Sequence, residues 1–411
     1  MHINLSPQLN ACIALPTSKS ISARALIVNA LADTPCQLQG LSDCDDTQAV
    51  LRALAAQPEV VDIGAAGTAM RFLTAFYSTR EGEEHLLTGT ERMKHRPIGI
   101  LVDALRQLGA DISYAGETGF PPLLIRGRKL QGGAVRIEAG VSSQYISALM
   151  MLGPTLAEGL RMELVGEVAS RPYILMTLQL MRLFGAEAEF TGQTITVQPG
   201  NYSRTQPYAV EPDWSAASYW YEMVALSPDP TARVVLPGLS QQSLQGDSIC
   251  ADYFRHLGVH TEFTADGAVL TKSPAAVNPD ATAPLCLDFS DCPDLAQTFV
   301  VTAALLRRSF RFTGLQSLRI KETDRMAALV NELSKLGYTI AASGSSMLCY
   351  DSRLPISAPP SAADASIATY EDHRMAMAFA PAAYLFPGLH IEHPEVVSKS
   401  YPAYWQDLPT L

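Results

Sequence analysis

Gly314-Leu315-Gln316-Ser317-Leu318-Arg319-Ile320-Lys321-Glu322-Thr323-Asp324-Arg325 opens a segment that runs on through Met326–Leu336 and stops at Gly337. It has three parts: a turn at a glycine, a polar cluster, and an amphipathic helix ended by a residue that accepts the left-handed conformation. Its charged run, Lys321 to Arg325, has two readings. One is an exposed helix turn laced with intrahelical ion pairs. The other is a carboxylate flanked by fixed cations, the arrangement an acid/base group needs when it handles an anionic substrate. Recurrence of the pattern elsewhere in the chain decides how much the second reading weighs.

The pattern does recur. Gly40 to Asp46 leads into Ala49–Leu54, and Gly89 to Arg96 leads into Ile100–Leu108 and Gly109. Gly166 to Pro172 leads into Leu175–Phe184 and Gly185, and Gly238 to Asp247 leads into Ile249–Leu257 and Gly258. Pro394 to Ser400 leads into a last helix, Tyr401–Leu408. A second, more apolar kind of helix alternates with these. It begins near Ser18-Lys19-Ser20, Gly67-Thr68, Ser142-Ser143-Gln144, Asp213-Trp214-Ser215, Pro293-Asp294 and Glu371-Asp372-His373. Runs such as Ala216–Leu226 and Leu295–Leu306 are apolar nearly all round, which predicts burial. Short alternating stretches between helices, such as Ala134–Glu138, Thr194–Gln198 and Arg311–Thr313, read as strands. The count is six copies of strand-helix-strand-helix-strand(s), each roughly 70 residues, too long for a solenoid repeat and best accommodated as three copies per globular domain. Regular helix spacing also occurs in α/β proteins without repeats, so the pattern alone leaves that fold open.

Composition narrows the function classes. A chain of 411 residues with 47% hydrophobic and 17% charged residues has an ordinary globular core. The net charge of −11 and the lack of a Lys/Arg block argue against nucleic acid as the main partner. Met1 to Pro16 lacks the pattern of a signal peptide, and the longest uncharged apolar stretch, Met375 to Phe386, is too short to span a bilayer. Seven scattered cysteines without a Cys-x-x-Cys pair fit reduced thiols in a cytoplasm. His390-Ile391-Glu392-His393 has short spacing, but Pro394 argues against a helical metal face, and no metal is expected. No phosphate-binding Gly-x-x-x-x-Gly-Lys loop or dinucleotide fingerprint occurs either, so neither ATP nor NAD is indicated.

Within this acidic chain the cations gather at helix starts: Lys19, Arg24, Arg71, Arg96, Arg171, Lys321, Arg325, Arg374 and Lys399. Ser20, Ser142, Ser143, Gln144 and Ser170 stand at the same kind of position. Helix N-termini present free N–H groups and positive dipole ends, so the coincidence points to a focused site for a small polyanion. Three carboxylates accompany the cations: Asp294, Glu322 and Asp372. Singly, Asp294 reads as a cap residue and Glu322 as an ion-pair partner; together they can supply a base and an acid.

Pro16-Thr17-Ser18-Lys19-Ser20-Ile21-Ser22-Ala23-Arg24-Ala25 resembles the N-terminal motif of the 3-phosphoshikimate 1-carboxyvinyltransferase (EPSP synthase) family. Ala66-Gly67-Thr68-Ala69-Met70-Arg71, Arg92 to Gly99, Ser142-Ser143-Gln144, Lys321 to Arg325 and Asp372 to Met377 are similar to the family's other motifs, in order, from residue 16 to Lys399. The resemblance implies an α/β (α+β) enolpyruvyl transferase fold: two domains, each of three βαβαββ units around a pseudo-threefold axis, like an inverse α/β barrel. One domain is expected at 18–212. The other joins 1–17 to 213–411, with substrates bound in the cleft and the domains closing on them. It also implies a cytoplasmic monomer that needs no cofactor.

The implied reaction moves the enolpyruvyl group of phosphoenolpyruvate to the 5-hydroxyl of shikimate 3-phosphate and releases phosphate, a step toward chorismate and the aromatic amino acids. Carried over by motif, Ser142, Ser143 and Ser170 take the shikimate phosphate, with Tyr173 nearby, and Ser20 and Arg24 hold its carboxylate. Lys19, Asp294 and Lys321 complete that substrate's contacts, while Gln144 touches both ligands. Lys19, Arg96, Arg325, Arg374 and Lys399 surround phosphoenolpyruvate, and Gly67 lets the backbone approach it. Asp294 is the expected base for the hydroxyl and Glu322 the proton donor to the methylene carbon. Lys19 and Lys399 assist the departing phosphate. Two positions depart from the family: Ala65 stands where Asn is common, and Ser317-Leu318-Arg319 replaces Asn-x-Arg. These put substrate and inhibitor affinity in question but leave the acid, the base and the arginines. The sister transferase acting on UDP-N-acetylglucosamine carries a Cys in the loop where this chain has Glu91. An RNA 3′-phosphate cyclase shares the repeat unit but is disfavoured by the acidic charge. A non-catalytic anion binder would not need the carboxylates.

Overall fold

The computed structural model describes residues 1–273, 283–356 and 365–410; the second expected domain runs across the remainder. The chain divides into two compact units, Thr17–Glu211 and Met1–Pro16 with Pro212–Leu411. Each chain passage between them is tied to its own unit. Ser18 N–H donates to the Glu211 carbonyl (2.8 Å) and Asp213 N–H to the Pro16 carbonyl (2.9 Å).

Burial explains the six apolar helices. In Trp214–Leu226 every residue but Ser215 is buried, in Gly67–Ser78 all but Thr68, and in Ser143–Leu152 all but Gln144. Ala296–Leu305 and His373–Phe379 are buried throughout, and Lys19–Ala30 is buried from Ile21 to Val28. Such helices gain little from propensity and much from the apolar area they remove from water. The residues left out of the core lie mostly in the first turn. Four of the six helices therefore deliver a polar first turn to a surface of their unit.

Around these helices the described strands form six sheets, three in each unit. Val60–Asp62 runs parallel to Glu84–Thr88, with the Gly67–Ser78 helix between them in sequence. Leu123–Arg126 then pairs antiparallel with Glu84–Thr88, and Asp111–Tyr114 takes the edge. This is one βαβαββ unit. The same order recurs in Gly133–Glu138, Leu160–Val165, Thr194–Val197 and Ala188–Thr191, and in Leu285–Asp288, Phe310–Thr313, Met347–Tyr350 and Ile340–Ser343. A fourth copy takes its first strand, Asn10–Cys12, from before the inserted unit; it pairs parallel with Arg233–Pro237. Two copies are abbreviated: Tyr208–Ala209 beside Leu38–Gln39, and Ser366–Ile367 beside Leu389–Ile391 with His2–Ile3.

Two expected helices differ. Tyr401–Leu408 contracts to Tyr404–Asp407, preceded by a 3-10 segment at Pro394–Lys399. Pro402 disfavours the helical conformation at Tyr401, whose hydroxyl instead donates to Asp407 (2.7 Å). Ile249–Leu257 becomes a 3-10 turn at Gly246–Ile249 followed by Cys250–Arg255. Lys321 to Asp324 form no helix: a 3-10 segment ends at Ile320 and the helix begins at Arg325, capped by Asp324, which accepts from Ala327 N–H (3.1 Å).

Candidate active site

In the discontinuous unit the polar starts of three buried helices meet. Asp294 precedes Ala296–Leu305, Ser215 opens Trp214–Leu226, and Arg374 opens His373–Phe379. Arg325, first residue of Arg325–Lys335, is buried among them and binds three carboxylates. Its Nε donates to Asp372 Oδ2 (2.6 Å) and Nη2 to Asp372 Oδ1 (3.2 Å), a forked pair. Nη2 also donates to Glu322 (2.9 Å) and Nη1 to Asp294 (3.3 Å). Burial alone would lower the Arg325 pKa, but Asp372, Glu322 and Asp294 outweigh it and raise it further. Lys399 Nζ lies 3.0 Å from the other Glu322 oxygen, so both oxygens face cations.

Asp294 is held as tightly. Arg374 Nη2 donates to it at 2.9 Å and Lys321 Nζ lies 3.8 Å away. Burial pushes its pKa up, yet Arg374, Lys321 and Arg325 together hold it well below the usual carboxylate range, against repulsion from Glu322. Asp294 is a charged but weak base in this state. Arg374 also reaches the hydroxyls of Tyr219 (3.5 Å) and Ser215 (3.4 Å), and Ser215 donates to the buried Asp247. Four cations thus stand among three carboxylates, with Arg325 and Asp372 buried and Lys321, Asp294 and Glu322 partly open to solvent.

The Thr17–Glu211 unit gathers the other expected residues. Arg24 lies in its core, where Nε donates to Thr177 Oγ1 (2.7 Å), Nη1 to the Ser20 carbonyl (2.9 Å) and Nη2 to Ser147 Oγ (3.3 Å). Burial brings its pKa down to about 10, so it keeps its charge at neutral pH. Thr177 donates to the Tyr173 carbonyl and Tyr173 N–H to the Ser170 carbonyl, linking Arg24 to the turn that opens helix Arg171–Leu183. Ser170 has a φ of 53°, an uncommon conformation for a serine. Ser142 accepts from Gln144 N–H (3.3 Å), leaving Ser143 at the helix start, and Gln144 donates to Thr68 (3.0 Å). Lys19 pairs with Asp46 at 3.3 Å.

Gly67 and Arg96 form one device. A Cβ on Gly67 would lie 2.5 Å from Arg96 Nη1, so the guanidinium rests against bare backbone. Arg71 fixes the loop behind it, donating to the Gly67 carbonyl (3.0 Å) and the Pro97 carbonyl (3.1 Å).

The profile of the family described as EPSP synthase (3-phosphoshikimate 1-carboxyvinyltransferase) matches residues 3–56 and 52–408. The chain belongs to that EPSP synthase family. It is 56% identical over 403 residues to the 3-phosphoshikimate 1-carboxyvinyltransferase of Bacteroides fragilis (strain YCH46), covering 98% of this chain and 95% of that one. To the protein of the same name from Aliivibrio fischeri (strain ATCC 700601 / ES114) it is 34% identical, covering 98% and 97%. Among solved structures, an EPSP synthase from Acinetobacter baumannii is similar with a TM-score of 0.76 at 21% identity, covering 99% and 96%. The enolpyruvyl transferase NikO from Streptomyces tendae is similar with a TM-score of 0.72 at 15% identity, covering 99% and 96%. These structures bear out the enolpyruvyl transferase fold.

Within the EPSP synthase frame, the departures fall at loops. Ala65 is an exposed residue before helix Gly67–Ser78. Ser317 lies in the 3-10 segment Gln316–Ile320, where Arg319 donates to Asp324 (3.0 Å) and to the Ser345 carbonyl (3.2 Å). Four residues went unpicked by sequence: Asp46, Ser215, Tyr219 and Asp247. Three had a positional signal: Ser215 in the Asp213-Trp214-Ser215 helix start, and Asp46 and Asp247 at the ends of the polar clusters that begin at Gly40 and Gly238. Among the described residues no group of three His, Cys, Asp or Glu is placed to hold a metal. No described helix is long and apolar enough to cross a membrane.

Proposed function

We propose that this chain transfers the enolpyruvyl group of phosphoenolpyruvate to the 5-hydroxyl of shikimate 3-phosphate, releasing phosphate and 5-enolpyruvylshikimate 3-phosphate. Membership of the EPSP synthase family supports the reaction. The observation that carries the residue roles is the pair of carboxylates, Asp294 and Glu322, each clasped by cations at the ends of buried helices. Asp294 accepts the hydroxyl proton while Glu322 donates a proton to the methylene carbon. The substrate oxygen bonds to the adjacent carbon, giving a tetrahedral intermediate. Glu322 then takes a proton back from the new methyl group, the C–O bond to phosphate breaks, the enol ether forms, and the departing phosphate carries off the proton that Asp294 accepted. Lys19 and Lys399 neutralise the leaving phosphate.

The ion pairs give this cycle its trigger. Anionic substrates compete for Arg374, Lys321 and Lys399, and each cation they draw away makes Asp294 or Glu322 more basic. Arg96, Arg325, Arg374, Lys399, Lys19, Gly67 and Gln144 serve phosphoenolpyruvate. Ser20, Arg24, Ser142, Ser143, Gln144, Ser170, Tyr173, Lys19, Asp294 and Lys321 serve shikimate 3-phosphate. The enzyme acts as a cytoplasmic monomer, with no step routed through a metal or cofactor.

Phosphate release from phosphoenolpyruvate, assayed with EDTA and with or without shikimate 3-phosphate, tests this reading. Release should require both substrates. Glu322→Gln should retain binding of both by calorimetry and lose roughly 100-fold or more in kcat, the scale of a lost general acid. Asp294→Asn should behave alike. Wild-type binding of both ligands without phosphate release would leave an anion-binding protein instead.

A further inference from the structure

Two consecutive residues just before Asp372, Tyr370 (φ 54°) and Glu371 (φ 56°), take the left-handed conformation. Neither is glycine, and the conformation is unfavourable for both. The turn ends with Asp372 N–H donating to the Thr369 carbonyl (2.9 Å), and the next helix then starts with His373 and Arg374. Something must hold this segment in place.

Glu332 does so from helix Arg325–Lys335. Its side chain is fully buried. One oxygen accepts the Tyr370 hydroxyl at 2.6 Å; the other accepts Ala368 N–H at 3.0 Å and the Lys335 ammonium at 2.6 Å. Burial first, and then the Glu332 bond, raise the Tyr370 pKa, which keeps its hydroxyl a donor. Glu332 lies seven residues beyond Arg325, two helical turns along the same face. One face of one helix therefore grips the segment twice, Glu332 at its entry and Arg325 at the Asp372 carboxylate. What distinguishes Glu332 from a carboxylate bonded elsewhere in the core is that its partners stand at the entry to a left-handed turn. Here two of its three bonds go there, and what the turn presents is Asp372 and Arg374.

We infer that Glu332 is a positioning residue: by anchoring Ala368 and Tyr370 it sets the register of Asp372 and Arg374 and so tunes phosphoenolpyruvate binding. The inference rests on the assignment of Arg374 to that substrate. The test uses the full chain with Tyr370→Phe, Glu332→Ala, Glu332→Gln and Arg374→Gln, measuring KM for each substrate, kcat and Tm.

Tyr370→Phe deletes one hydroxyl from a partly exposed ring and should leave the fold intact. It should raise KM for phosphoenolpyruvate roughly three- to tenfold, the range of one ordinary hydrogen bond, with KM for shikimate 3-phosphate within twofold. Glu332→Ala should raise it further. Glu332→Gln should restore most of the loss, because the amide oxygen accepts Ala368 N–H while its NH2 donates to the Tyr370 oxygen. Both KM values unchanged in Tyr370→Phe, or both rising together in step with a falling Tm, would overturn the positioning role. Arg374→Gln separates the two claims. If it leaves KM for phosphoenolpyruvate unchanged, the ligand assignment falls and takes the inference with it. If it raises that KM while Tyr370→Phe does not, the positioning role alone falls.

Discussion

At the scale of single residues, Asp247 and Asp294 are neighbours with opposite titration. Asp247 is buried and its pKa is pushed up to about 7, first by burial and then by Asp294, while the Ser215 bond and Arg374 pull the other way; Asp213 adds to the rise. Asp294 is held low by its cations. A carboxyl raised in the folded state contributes stability that is full below its unfolded pKa, near 4, and is lost as pH climbs through 7. A carboxyl held low contributes above pH 4 and loses that contribution only in stronger acid. Between pH 5 and pH 8, then, Asp247 alone of the pair makes stability depend on pH. The difference is at most about 4 kcal/mol, from roughly three pKa units. Asp247→Asn should flatten the fall in thermal midpoint between pH 5 and pH 8, measured by circular dichroism. An unchanged slope would mean that Asp247 ionises elsewhere.

At the scale of elements, the N-terminal turn is the working part of each buried helix. Two glycine substitutions separate function from packing there and elsewhere. Gly67→Ala puts a Cβ 2.5 Å from the end of the Arg96 side chain, which can swing aside, and it gains helix propensity. Its midpoint should hold while KM for phosphoenolpyruvate rises roughly tenfold, a displacement worth about 1.4 kcal/mol. Gly127→Ala puts a Cβ 1.9 Å from the backbone carbonyl oxygen of Arg80, which cannot swing aside, and should lower the midpoint without that selective change in KM. Paired melting curves and kinetics decide this. The same elements show what a sequence can disclose. The apolar helices were legible because burial on every side leaves no polar face in the sequence, and their starts at Gly67, Ser142, Asp213 and Pro293 were legible from the polar residues left outside the core. Strands of two residues, such as His2–Ile3, Leu38–Gln39 and Tyr208–Ala209, are too short for alternation to register. Lys321, Glu322 and Arg325 were readable because they adjoin in the chain. Ser215 and Tyr219 reach Arg374 from one helix and Asp247 comes in from another segment, and neither Tyr219 nor Asp247 alone looks different from an ordinary core or loop residue. Glu332 was hidden for the same reason, since its meaning depends on a turn 36 residues further on.

At the scale of the whole molecule, one unit is inserted within the other. Thr17–Glu211 holds three sheets of its own and closes its ends through the Ser18–Glu211 bond, so it should fold when expressed alone. A cooperative melt and dispersed amide spectra from residues 17–211 are the expected result; a broad, noncooperative transition would show that the insertion depends on its host. The host half is built differently. Its first strand, Asn10–Cys12, pairs with Arg233–Pro237, and His2–Ile3 pairs with Leu389–Ile391. A ribosome makes these partners in a fixed order. At about 5–20 residues per second, Asn10–Cys12 leaves the exit tunnel on the order of ten to forty seconds before its partner exists. During that interval the inserted unit can finish folding while the leading strand waits with an open edge. Its brevity and the polar Asn10 limit the hazard of that edge. A strand made before the whole inserted unit is thus among the last to find its place, and the host half is completed only after Leu389–Ile391 has been made.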